Sequence, residues 1–189
     1  MSRKPGEIAE QLCSYYSGKV NTPLRKIFVL AMLAGVYVGF GGFLYIVVTS
    51  DAARYLGNGL AMYVGGFAFS TALVLIVLAG GELFTGNGLL TMACLSGRAK
   101  LGAVLKNWVV VYLGNFVGAV ALAGLIYASG SYAIYGSVVS MRALEISTMK
   151  VGLGFGEALI RGILCNWLVC LAIWISGRPT PLPGRYSPV

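Results

Sequence analysis

Gly80-Gly81-Glu82-Leu83-Phe84-Thr85-Gly86-Asn87-Gly88 interrupts a largely apolar run of 36 residues, Leu60 to Leu95. As one straight helix that run would reach about 54 Å at 1.5 Å per residue. The hydrocarbon core of a membrane is only ~30 Å thick. Four glycines, a carboxylate and an amide in nine residues are poor helix material. The run is therefore a hairpin of two spans, or one crossing made by a broken helix. Charge decides. Arg3, Lys4, Lys19, Arg25 and Lys26 precede the first apolar run, and Arg98, Lys100 and Lys106 follow the second. Lys and Arg concentrate on the cytoplasmic side, so both flanks lie there and the second run crosses once. The reading is a long helix, an unwound loop and a half-helix from Leu89 to Leu95.

The composition of the whole chain agrees with membrane residence. Of 189 residues, 58% are hydrophobic and 11% charged, with mean hydropathy +0.82. A soluble domain carries roughly 25% charged residues, and a single core cannot bury this much apolar surface. These values exclude a soluble enzyme and a disordered chain. The net charge of +8 flanks apolar runs instead of striping a polar surface, so it reads as a topology signal and no nucleic-acid partner is expected. The chain has four cysteines, no CxxC and no histidine, so neither a metal nor a disulfide framework is expected.

Outward from the break, the spans fall at about 27–50, 60–95, 108–128 and 151–176. Residues 1–22 are polar, with Ile8, Leu12, Tyr15, Tyr16 and Lys19 at helical spacing, and predict a cytoplasmic amphipathic helix on the membrane surface. The channel-like part covers 23–178. The segment 179–189 holds four of the six prolines and reads as a disordered tail. The fold class is thus all-α, a polytopic helical bundle with four spans and its second helix broken. Unwound backbone at membrane depth survives only when buried in protein or lining a polar cavity, and broken helices are where channels and transporters bind solute.

Other polar residues lie within the spans. Glu157 and Arg161 stand i, i+4 in the order that favours an ion pair, and serve either structure or a pathway. Asn166 is either interhelical glue or a solute-facing amide. Lys150 opens the fourth span and can snorkel. Glu82 borders the break, within reach of its exposed amides. Gly35/Gly39 and Gly114/Gly118 form two GxxxG pairs of the kind that lets helices pack closely. No catalytic constellation appears, so an enzyme is not expected.

The segment Gly81-Glu82-Leu83-Phe84-Thr85-Gly86-Asn87 resembles the omega loop of the formate/nitrite transporter family. Pro23-Leu24-Arg25-Lys26 is similar to the entry of that family's first helix. Lys106-Asn107-Trp108 and Tyr112-Leu113-Gly114-Asn115 are similar to its third. Gly162-Ile163-Leu164-Cys165-Asn166-Trp167-Leu168-Val169-Cys170-Leu171-Ala172-Ile173-Trp174 is similar to its fourth. The resemblance runs from about residue 5 to Arg178. It implies an aquaporin-like arrangement with a pore in each protomer of a homopentamer, in a bacterial or archaeal cytoplasmic membrane, with no cofactor. The implied substrates are small monovalent anions: formate, nitrite or hydrosulfide.

On this resemblance Phe69 matches an outer constricting phenylalanine. Leu83, Phe84 and Thr85 match the loop at the inner constriction, to which Leu73 and Val169 add. Lys150 and Asn166 match a lysine and an asparagine of the fourth helix. Lys150 would concentrate anions, and Thr85 and Asn166 would offer hydrogen bonds. Lys150 and Asn166 are sixteen residues apart, about 24 Å along a straight helix, and meet one ion only if the chain unwinds around Gly152, Gly154 and Gly156. The family has six spans, with a second broken helix carrying a histidine that governs proton exchange. Four spans and no histidine set the expectation of a C-terminally shortened chain that closes no tight pore by itself. The alternative is a non-transporting membrane fragment or an assembly subunit.

Overall fold

The computed structural model describes residues 4–133 and 136–176. The Pro-rich segment 179–189 lies outside the described residues. Among those described, the secondary structure is helical throughout: α1 (Pro5–Lys19), α2 (Leu24–Thr49), α3 (Ala52–Ala79), a 3-10 turn (Gly86–Leu89) leading into α4 (Leu90–Leu95), α5 (Leu101–Ala128), α6 (Val138–Val151) and α7 (Phe155–Ser176). A second 3-10 turn, Ser131–Ala133, lies between α5 and α6. Four of these helices, α2, α3, α5 and α7, are long and apolar enough to cross a membrane.

The first three long helices form the packed part of the molecule. Small residues make this possible by letting backbones approach. A Cβ at Gly114 would meet Ala31 Cβ and the Phe28 carbonyl, one at Gly118 would meet the Met32 carbonyl, and one at Gly35 would meet the Asn115 carbonyl. The two GxxxG pairs therefore interlock, one from α2 and one from α5. On the other side of α2, Gly41 faces Ala72, and Gly65 of α3 faces Thr49 and Tyr45.

Several boundaries differ from those read in the sequence. Helix α3 starts at Ala52, but Gly57 interrupts it with φ +72° and ψ 162°, a backbone region that glycine enters at little cost. Helix α5 starts at Leu101 and so takes Lys106 into its first turns. Lys106 is exposed there, which a long side chain tolerates by keeping its ammonium in water. Lys150 does not open the fourth span. It lies in the last turn of α6, and the chain unwinds at 152–154 before α7 begins at Phe155.

The N-terminal helix also departs from its expected place. Leu12, Cys13 and Tyr16 of α1 pack in one core with Leu90 and Ala93 of α4 and Val104 of α5. A helix lying on the membrane surface would leave one face to lipid. Here that face is docked on the broken segment, and even Lys19 is buried.

Candidate functional site

The break begins where α3 ends at Gly80, whose φ of +85° turns the chain out of the helix. Residues 80–83 have no regular structure. Their polar backbone must find partners elsewhere, because an unsatisfied group in an apolar medium costs several kcal/mol. Neighbouring helices supply them. The Glu82 N–H donates to the Leu30 carbonyl of α2 (3.1 Å). Asn115 of α5 accepts from the Phe84 N–H (2.9 Å) and donates to the carbonyls of Glu82 and Ala31 (both 2.8 Å). Tyr16 donates to the Gly86 carbonyl (3.0 Å), and the Trp108 indole N–H to the Asn87 carbonyl (2.8 Å). The Asn87 N–H closes back on Leu83 (2.9 Å) and the Gly88 N–H on Thr85 (3.2 Å).

Beneath the loop lies a buried polar cluster. The Lys19 ammonium stands 2.8 Å from Glu82 Oε2 and donates to Asn87 Oδ1 at 2.8 Å. Asn87 Nδ2 donates to Glu82 Oε2 and to Asn107 Oδ1, both at 2.9 Å. Both side chains of the ion pair are at most 4% exposed. Burial lowers the Lys19 pKa from its ordinary value, and the Glu82 carboxylate opposes that shift. The rings of Tyr15 and Tyr16 flank the ammonium, with centroids 5.5 and 5.1 Å away. Burial raises the Tyr16 phenol, so it remains a donor to Gly86.

Helix α7 covers the outer side of the loop. A Cβ at Gly88 would stand 3.2 Å from Asn166 Oδ1 and 3.5 Å from Cys170 Sγ. The Cys170 thiol lies 3.4 Å from both the Thr85 carbonyl and Asn166 Oδ1. Thr85 and Asn166 are thus brought to one locality with Cys170 between them, and Gly88 is the residue that permits it.

A second locality lies nearer α6. There a cavity of about 1060 Å³ is lined by Phe69, Lys150, Arg142, Arg161 and apolar residues of α2 and α3. Phe69 and Lys150 share this space, whereas Asn166 is not in its lining. The unwinding at 152–154 turns Lys150 and Asn166 onto separate helices, with Lys150 in the cavity and Asn166 on the loop. Leu73, Leu83 and Val169 are half-buried and outside the cavity lining. Phe84 turns toward α5, its ring edge-on to Tyr112 (5.6 Å) and Trp108 (6.5 Å), and packs against Ile27, Ala31 and Val111. Glu157 and Arg161 form the expected i, i+4 ion pair, exposed on α7.

The sequence reading passed over the residues that hold the break open. Asn107, Asn115 and Asn87 are amides within apolar segments, a costly placement that by itself marks a structural or functional role. Lys19 carried no such signal, because a lysine at the end of a polar helix is ordinary.

Residues 6–186 match the model of the family described as "Formate/nitrite transporter". Formate channel FocA of Escherichia coli (strain K12) is 39% identical over 170 residues, covering 90% of this chain and 58% of that protein. A probable formate transporter of Methanothermobacter thermautotrophicus is 36% identical over 198 residues, covering 97% and 72%. Among solved structures, a pentameric formate channel with formate bound superposes with TM-score 0.73 at 34% identity, covering 84% of this chain and 62% of that one. The chain therefore spans rather more than half the length of the FocA relative.

Proposed function

This chain belongs to the formate/nitrite transporter family, and from that premise we propose that its fold serves the passage of small monovalent anions through a narrow path in each protomer of a homopentamer. Formate is the first candidate, since the relatives are named for it; nitrite and hydrosulfide are the others. The membrane is the cytoplasmic one, with the N-terminus inside. The observation that carries the reading is the loop itself. Its backbone is held open by α1, α2 and α5, while Asn166 stands beside Gly88 with the Cys170 thiol between it and the Thr85 carbonyl. A bare ion in an apolar constriction is expensive, and hydrogen-bond donors placed there reduce that cost. In this reading Phe69, Leu73, Leu83 and Val169 form the constriction, Phe84 anchors the loop from behind, and Lys150 draws anions in. Proton linkage is proposed for the full-length family pattern alone, since the histidine that would carry it is absent from these 189 residues.

Reconstitution in liposomes tests it. Formate flux above that of protein-free vesicles, lowered by Asn166→Leu but less selective than that of a full-length relative, is expected. The second reading is a non-transporting membrane fragment or assembly subunit. A folded chain in liposomes with flux at the protein-free level supports that second reading.

A further inference from the structure

Asn166 has two different ends to offer a passing solute. Its amide oxygen is an acceptor and repels an anion, whereas its nitrogen carries two N–H donors that an anion accepts. The two ends have nearly the same shape, so packing alone does not choose between them. The choice falls to whatever holds one of them. Here the held end is the oxygen. Asn166 Oδ1 faces the broken loop, 3.2 Å from where a Cβ of Gly88 would stand, with the amide carbon behind it at 4.0 Å and the nitrogen no nearer. Cys170 stands four residues further along α7, so the two side chains share one face of the helix. Its Sγ is 3.4 Å from Asn166 Oδ1 and 3.4 Å from the Thr85 carbonyl. A thiol has one proton and serves one acceptor at a time. The Thr85 carbonyl already accepts from the Gly88 N–H at 3.2 Å, and the Tyr16 hydroxyl is committed to the Gly86 carbonyl at 3.0 Å. Among the described residues Asn166 Oδ1 has no donor besides the thiol, so it draws the thiol proton. The reversed amide would ask sulfur, a weak acceptor, to take an N–H, and would leave the oxygen facing outward.

We propose that Cys170 is a positioning residue for anion passage: its thiol pins Asn166 Oδ1 to the loop and thereby turns the amide N–H donors toward the path. A negatively charged solute meets donors there, and a cation meets none. The positioning role rests on the reading of this locality as the anion's path; the hydrogen bond from Cys170 to Asn166 does not.

The test pairs the infrared S–H stretch with formate flux, both on the purified chain in lipid vesicles. The Cys170 band is the one lost in Cys170→Ala, and a hydrogen-bonded S–H absorbs at lower wavenumber than a free one. Asn166→Leu removes the acceptor and is expected to move the band to higher wavenumber. Asn166→Asp offers a carboxylate oxygen in the same place and is expected to move it lower. A band that stays in place in both variants shows the thiol serving Thr85 and overturns the proposal. In the flux arm, Cys170→Ala is expected to lower formate flux by about threefold or more, the worth of one modest hydrogen bond. Cys170→Ser, whose hydroxyl is again a donor, is expected to restore most of it. A merely structural cysteine gives the opposite order, because alanine stays apolar and serine does not. Equal flux in the wild type and Cys170→Ala, or less flux in Cys170→Ser than in Cys170→Ala, overturns the positioning role. The band is read without any flux. A band that moves in a chain without flux therefore defeats the transport reading alone, and flux with an unmoved band defeats this inference alone.

Discussion

Replacing Lys19 by methionine tests whether the ion pair beneath the break holds the loop in place. Methionine keeps the apolar stem and removes the ammonium. Glu82, 1% exposed, then loses the charge that stands 2.8 Å away, and Asn87 loses the donor to its Oδ1. Breaking a buried pair from one side costs about 3–5 kcal/mol, because the remaining charge stays buried without compensation. A chain of this size shifts by roughly 2–4 °C per kcal/mol, so the melting temperature should fall by about 6–20 °C. Removing both charges is a different perturbation. In Lys19→Met with Glu82→Gln no charge is stranded, and the glutamine still accepts from Asn87. The double variant should therefore recover at least half of the loss. The assay is thermal unfolding in one detergent, read by circular dichroism and by recovery of monodisperse protein. A single variant that melts within 2 °C of the wild type, or a double variant no more stable than the single, would refute the reasoning.

Three further outcomes follow from the same geometry. Asn115→Leu strips the Phe84 N–H and the Glu82 carbonyl of their partner, at about 1–3 kcal/mol for each stranded group; folded yield should drop sharply, and a wild-type melting curve would contradict this. Gly118→Ala drives a methyl into the Met32 carbonyl, whereas a Cβ at Gly124 meets nothing within 4 Å; the first should cost more than about 2 kcal/mol and the second should be neutral or gain up to ~1 kcal/mol from helix propensity, and equal melting temperatures would sink the interlocked packing of α2 and α5. In a chain without its native cysteines, a cysteine at Ala99 should react with an impermeant maleimide only from the cytoplasmic side, and one at Asn58 only from the opposite side; labelling of both from one side would show a hairpin in place of a broken helix.

Much of the fold was legible because it depends on local composition. Runs of apolar residues set the long helices. The clustering of Gly80, Gly81, Gly86 and Gly88 placed the break. The GxxxG pairs announced close packing without saying which helices would meet. The errors have a common source. Apolarity resumes after Lys150, which puts it at the head of the fourth span in the sequence, yet the glycines after it end one helix and let another begin. In the sequence Lys19 stands only among the flanking cations and on the amphipathic N-terminal helix, since nothing in its neighbourhood in the chain hints at a carboxylate 63 residues away. The docking of α1 on α4 was not legible for the same reason.

What the sequence determined by itself is the number of long membrane helices, the position of the break and the family pattern around it. Hydropathy and helix-breaking chemistry act over one or two turns, and they leave their mark in adjacent residues. What only the tertiary structure decided is how the break is tolerated. Its carbonyls and amides are satisfied by Tyr16, Leu30, Trp108 and Asn115, which stand on three different helices. An unwound peptide in an apolar medium requires partners, but the requirement does not say where in the chain they lie. The packing of α1, α2 and α5 around the loop brings them there.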